Sequence, residues 1–140
     1  MNKRRLLKLA DLLEANAKNP KGARFNLKRW GVVTDTRNPV SCGTTACAMG
    51  LAVASGAFKS AGLKSNFNDG DLYPRHNGKS GFGAATSLFD ISYIDANHLF
   101  CPDCYPINKL EGANAERYVA KRIRDFVAGK VGPDSAKALA

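Results

Sequence analysis

Four cysteines stand in two close pairs, Cys42 with Cys47 and Cys101 with Cys104. A tetrahedral zinc site takes four thiolates, and two short clips deliver two ligands each. Cys101-Pro102-Asp103-Cys104 has the spacing of a zinc knuckle, and Cys42-Gly43-Thr44-Thr45-Ala46-Cys47 is a wider clip leading into a helix. Cys42, Cys47, Cys101 and Cys104 are therefore the candidate ligands of a structural zinc, with His98 able to replace one thiol. The same atoms allow other chemistry. Cysteine is among the most buried residue types, so free thiols in the core are the plain reading. Structural disulfides remain open, and the second pair alone would be a redox couple. Cys47 is placed at a helix N-terminus, where a thiol acidifies and becomes a nucleophile. With His98 as its base it would make a small cysteine-dependent enzyme of the hydrolase type.

The second candidate chemistry is electrostatic. The chain has 140 residues and a net charge of +9, which favours anionic partners, nucleic acid first and acidic protein second. The excess is uneven. Residues 1–30 carry nine Lys or Arg against two acids, residues 31–110 carry six of each sign, and residues 111–140 carry six against four. The candidate nucleic-acid contacts are Arg4, Arg5, Lys8, Lys28 and Arg29 at the front, with the stripe Arg117, Lys121 and Arg124 near the end. Phe25 and Trp30 interleave with the basic residues and offer faces for base stacking, although the only tryptophan reads more simply as a core anchor.

These residues need elements to hold them. Leu6, Leu9, Ala10, Leu13 and Ala17 form one helical stripe, capped by Asn2 and ended by Asn19-Pro20. Lys21 to Val33 alternates partially and suits a short strand. A second helix is expected from Thr44 or Thr45 to about Phe58. It is uncharged up to Ala57, so it should be buried and central, with Ala46, Gly50, Ala54 and Ala57 as a close-approach face. Residues 59–81 are rich in turn formers and read as a long loop with one small hairpin, Asn77-Gly78 being a hairpin turn. Ser80 is a cap for a helix to Phe89. Ser92 with Asp95 caps another to Phe100. The pair reads as a plain helical hairpin in the core, since its second helix lacks the Lys and Arg of a recognition helix. The last helix runs from about Ala113 to Ala128 and is closed by Gly129.

The expected fold is mainly α, of the α+β kind: one domain over 1–129 with about five helices and a small hairpin or short strands, then a tail over 130–140. No run of about 18 apolar residues would make a membrane span, and Lys8, Asp11 and Glu14 interrupt any leader-like stretch. A cytoplasmic location is expected, where thiols stay reduced.

The segment Cys42-Gly43-Thr44 to Cys47-Ala48-Met49-Gly50-Leu51-Ala52 resembles part of a group of small uncharacterised bacterial and phage proteins. So does the stretch from Ala84-Ala85 through Leu88-Phe89-Asp90-Ile91 to Ala96, Leu99 and Phe100. The resemblance covers roughly a third of the chain. It implies a bacterial or phage origin and a shared helical core, with no activity to carry over.

Overall fold

The first helix, α1 (Lys3–Lys18), begins where Asn2 Oδ1 accepts the Arg5 amide at 3.1 Å and ends at Asn19, before Pro20. Its stripe of Leu6, Leu9, Ala10 and Leu13 is fully buried, and each leucine contributes about 2 kcal/mol of burial. That stripe lies along α5 (Ala113–Val127), the partner α1 touches most. α5 closes as expected: Gly129 takes φ +74°, its amide bonds Phe126 O, and Lys130 N reaches back to Asp125 O. This computed structural model describes residues 1–33, 44–68 and 71–130. Cys42 and the expected tail beyond Lys130 lie outside them.

The remaining elements are β1 (Arg24–Phe25), β2 (Gly31–Val33), β3 (Thr44–Ala46), α2 (Ala48–Ala54), β4 (Lys64–Asn68), β5 (Asp71–His76), β6 (Lys79–Ser80), α3 (Phe82–Phe89) and α4 (Tyr93–Phe100). The strands form one mixed sheet in the order β1-β3-β2-β5-β4, with β6 also on β5. β1 runs parallel to β3, and the other pairs are antiparallel. Among the described residues there are five α-helices, and with the sheet they make one compact α+β domain.

Three local expectations change. Thr44 and Thr45 do not start the second helix. They lie in β3, Thr45 paired on both sides and Thr44 with Val33 alone, because β-branched residues suit a pleated strand. α2 begins only after Cys47 and stops at Ser55, short of Phe58; Ser55 Oγ accepts the Ala57 amide and Gly56 turns the chain at φ +72°. Residues 59–81 are mostly strand, with a 3₁₀ turn at Lys59–Ala61, rather than a long loop. Only the β5–β6 hairpin was expected, and its turn is as expected, with Asn77 at φ 55° and Gly78 at φ 78°. Ser80 is in β6, and the start of α3 falls on Gly81 at φ +60°.

The α2 helix is central, as its composition requires. Ala48, Met49, Gly50, Leu51 and Ala52 are all buried. Phe58, Phe89 and Phe100 join its core through ring contacts of 6.0 and 5.8 Å. Ser92 Oγ accepts the Asp95 amide at 3.1 Å, so the expected cap of α4 is present. Among the described residues no helix is long and apolar enough to cross a membrane.

Candidate nucleic-acid interface

The structure divides the eight sequence-derived cations. Arg124 on α5 bonds Glu14 at 2.6 Å and also reaches Asp11, both on α1. Arg124 holds the Glu14 carboxyl below its ordinary range by that hydrogen bond. Lys121 pairs with Asp125 one turn on at 2.8 Å, and Lys121 holds that carboxyl down in the same way. Arg117 donates to Asn114 and to the Ala17 carbonyl at the end of α1. The α5 stripe is thus committed to its own helix and to α1. Lys28 and Arg29 stand exposed on the turn between β1 and β2.

Arg4, Arg5 and Lys8 line a cleft of about 330 Å³ between α1 and the 3₁₀ turn Lys59–Ala61. Two of the three are fixed by carbonyls left over where helices and turns end. Arg5 Nη1 donates to Leu88 O at 2.8 Å, and Lys8 Nζ donates to Ala57 O at 2.7 Å while lying over the Phe58 ring. Each retains further N–H donors for a ligand.

A second cleft, of about 650 Å³, opens on the other side of Ala61, which lines both. Its polar wall is Lys64, Arg75 and His76, none of them among the residues picked from sequence. The β4–β5 register pairs Lys64 with Arg75, which puts both side chains on one face of the sheet. His76 fixes the wall. Its Nε2 donates to the Ala61 carbonyl at 2.9 Å, since a carbonyl only accepts, and its Nδ1 then accepts the Ser87 hydroxyl at 2.6 Å. The strand, the 3₁₀ turn and α3 are clamped together by one ring. Among the described residues, no Asp or Glu lines either basic cleft.

A third cleft, about 570 Å³, is of mixed charge, with Glu111 and Glu116 in its lining beside Arg24. Glu116 is 1% exposed, and its Oε2 accepts from Asn16 Nδ2 at 2.9 Å. Asn16 also grips both the amide and the carbonyl of Ala23. Burial pushes the Glu116 carboxyl up from 4.5 to about 7, against the hydrogen bond from Asn16 and the charge of Arg117. The folded state therefore holds this proton more tightly than the unfolded chain does, so stability falls as pH rises from about 4.5 through about 7. Glu116→Gln is expected to stabilise the protein by roughly 2 kcal/mol at about pH 8 and by little at about pH 4. Urea unfolding of both proteins at the two pH values checks this.

The cysteines are placed as follows. Cys47 is 2% exposed between β3 and α2, its thiol turned to the Trp30 carbonyl at 3.9 Å. Burial pushes that thiol up to about 11, so at neutral pH it is protonated. A cysteine nucleophile needs the reverse shift. His98 is buried on α4, where its carbonyl accepts from Arg122. Cys101 is a half-buried free thiol and so is not bonded to Cys104. Among the described residues, no three His, Cys, Asp or Glu side chains gather as a metal ion requires. Cys47, Cys101 and Cys104 thus do not make a three-ligand set, and Cys42 lies outside the described residues.

Phe25 is 4% exposed and belongs to the core, so it offers no stacking face. Trp30 is half-buried, edge-on to Phe82 with centroids 5.0 Å apart. Lys64 and Arg75 are far apart along the chain and meet only through strand pairing, so no local motif marks them. No protein-family model, curated protein or solved structure matches this chain.

Proposed function

We propose that this protein is a nucleic-acid-binding protein that takes the phosphate backbone across the two basic clefts meeting at Ala61. One observation carries the reading. Arg4, Arg5 and Lys8 on one side and Lys64, Arg75 and His76 on the other line adjoining clefts with no carboxylate among their described lining. Neutralising phosphates with Lys and Arg supplies affinity without sequence preference. By contrast, two of the α5 cations are already paired with carboxylates, Lys121 with Asp125 and Arg124 with Asp11 and Glu14.

The two surfaces separate in a binding titration with labelled oligonucleotides at low salt. The double variant Lys64→Ala, Arg75→Ala is expected to weaken binding about tenfold or more and to make the salt dependence shallower by about one to two powers of salt concentration. The double variant Arg117→Ala, Lys121→Ala should bind within about twofold of the parent, because those side chains contribute as exposed local contacts. Equal losses from both pairs would count against the clefts as the interface. Binding to a polyglutamate chain but to no oligonucleotide would identify an acidic protein as the partner instead.

A further inference from the structure

Four aromatic rings form a row on the surface beside the second basic cleft. Tyr73 on β5 lies 6.4 Å from Trp30, Trp30 lies 5.0 Å from Phe82, and Phe82 lies 6.1 Å from Tyr93, all centroid to centroid. The ends of the row are open, with Tyr73 51% and Tyr93 60% exposed, and the middle pair is half-buried. Isolated exposed aromatics are ordinary, but a linked row is not, and it marks a contact surface.

The backbone holds the row firmly. The Arg29 carbonyl accepts the Cys47 amide at 2.8 Å, which pins the chain beside Trp30 to the start of α2. Gly81 lies under the indole, where an added Cβ would come within 3.4 Å of the ring. Phe82 and Tyr93 are carried by the first turns of α3 and α4. Such rings lose little freedom when a flat partner settles on them.

Charge selects the partner. β5 alternates, with Leu72 and Pro74 inward and Asp71, Tyr73 and Arg75 outward. Tyr73 therefore shares its face with Arg75 of the basic cleft, and Asp71 bounds the row on the other side. Lys28 and Arg29, both exposed, immediately precede Trp30 in the chain. Cations that take phosphates beside rings that take flat faces are the two halves of a single-strand platform. A duplex keeps its base faces stacked inside, so it cannot use the rings.

We infer that the nucleic acid bound here is single-stranded, with its bases stacked on the row Tyr73, Trp30, Phe82 and Tyr93 and its phosphates on Arg75 and Lys64. This rests on the nucleic-acid reading above and names the form of the ligand. Trp30, the chain's only tryptophan, is a built-in reporter.

The test uses the full chain with an oligothymidylate and a hairpin duplex carrying the same number of phosphates, followed by anisotropy of the labelled oligonucleotide and by Trp30 fluorescence. The single strand should bind about tenfold or more tighter than the duplex and quench Trp30. Tyr73→Ala and Tyr93→Ala should each lose about five- to tenfold for the single strand with the salt slope unchanged. Tyr73→Leu should lose as much as Tyr73→Ala, since apolar bulk does not replace a ring face. Equal affinity for both oligonucleotides, with these variants neutral and Lys64→Ala, Arg75→Ala still weakened, would overturn the stacking platform and leave the basic clefts standing. Self-association that the tyrosine variants abolish, without any change in oligonucleotide affinity, would overturn it in favour of a second copy on the row. No binding of either oligonucleotide at low salt would overturn both readings.

Discussion

Replacing Arg122 with alanine is expected to destabilise the protein by about 3 kcal/mol, a large share of the total for a domain of this size. Arg122 is 6% exposed, and the buried cation has a precise set of partners. Nη1 donates to His98 O at 2.9 Å and to Cys104 O at 2.8 Å, and the guanidinium lies 3.7 Å over the Tyr105 ring and 5.6 Å from that of Tyr118. The carbonyls belong to the last turn of α4 and to the end of the 3₁₀ turn Pro102–Cys104, so one guanidinium ties the two segments together. Tyr105 Oη donates to the next carbonyl of α4, Leu99 O, at 2.6 Å. Alanine would remove one buried and one part-buried hydrogen bond and take the stacked cation from both rings. Arg122→Lys should lose less, roughly 1–2 kcal/mol, because an ammonium can still donate but cannot stack as a plane. Lys121→Ala, one position away and exposed, should stay within about 0.5 kcal/mol. Denaturant unfolding of the three variants, with near-ultraviolet circular dichroism to follow the tyrosines, checks the order.

Gly50→Ala is expected to cost as much or more, about 3–5 kcal/mol, by a different route. An added Cβ at Gly50 would sit 1.5 Å from the Trp30 carbonyl oxygen and 2.7 Å from its carbon. The obstacle is backbone, so no rotamer change relieves it. α2 or the strand leading into β2 has to move, and both are anchored, since Cys47 N bonds Arg29 O and β2 pairs with β3. Elsewhere in a helix the same change would be favourable, because alanine is the better helix former. A loss of stability, read as a fall in the urea midpoint at constant slope, would show that close approach decides here. Gly56→Ala is the contrast. Its Cβ would meet nothing within 4 Å, and only its φ of +72° resists, at about 1 kcal/mol.

The parts of this fold legible in sequence are those fixed within a turn or two. The α1 stripe with its Asn2 cap, the Ser92 cap of α4 and the Gly129 ending of α5 depend on neighbours three or four residues away. The uncharged stretch around Gly50 points to a buried helix, and close approach is found at Gly50, whereas Ala46 falls in β3 and Ala57 beyond the end of α2. The strands depend on distant partners. In β5 only Leu72 and Pro74 face inward, too few to set a period-two pattern, and Thr44 and Thr45 become a strand because β1 and β2 flank them.

The same division runs through the site. The basic cluster at Arg4, Arg5 and Lys8 is contiguous and was visible. Lys64 and Arg75 are brought together only by the β4–β5 register. Conversely, Arg124 meets Asp11 and Glu14 from the far end of the chain, which no count of charge along the sequence reveals. His76 stands alone in the sequence, yet its two ring nitrogens tie β5, the 3₁₀ turn and α3 together beside the second cleft.

The most direct test of the central claim is the affinity of the intact protein for a single-stranded oligonucleotide measured from low to moderate salt. Five cations across the two clefts, Arg4, Arg5, Lys8, Lys64 and Arg75, would each displace a counterion. The logarithm of the association constant should therefore fall linearly with the logarithm of salt, with a slope of about −3.5. A slope near zero, or no binding at the lowest salt, would contradict the account.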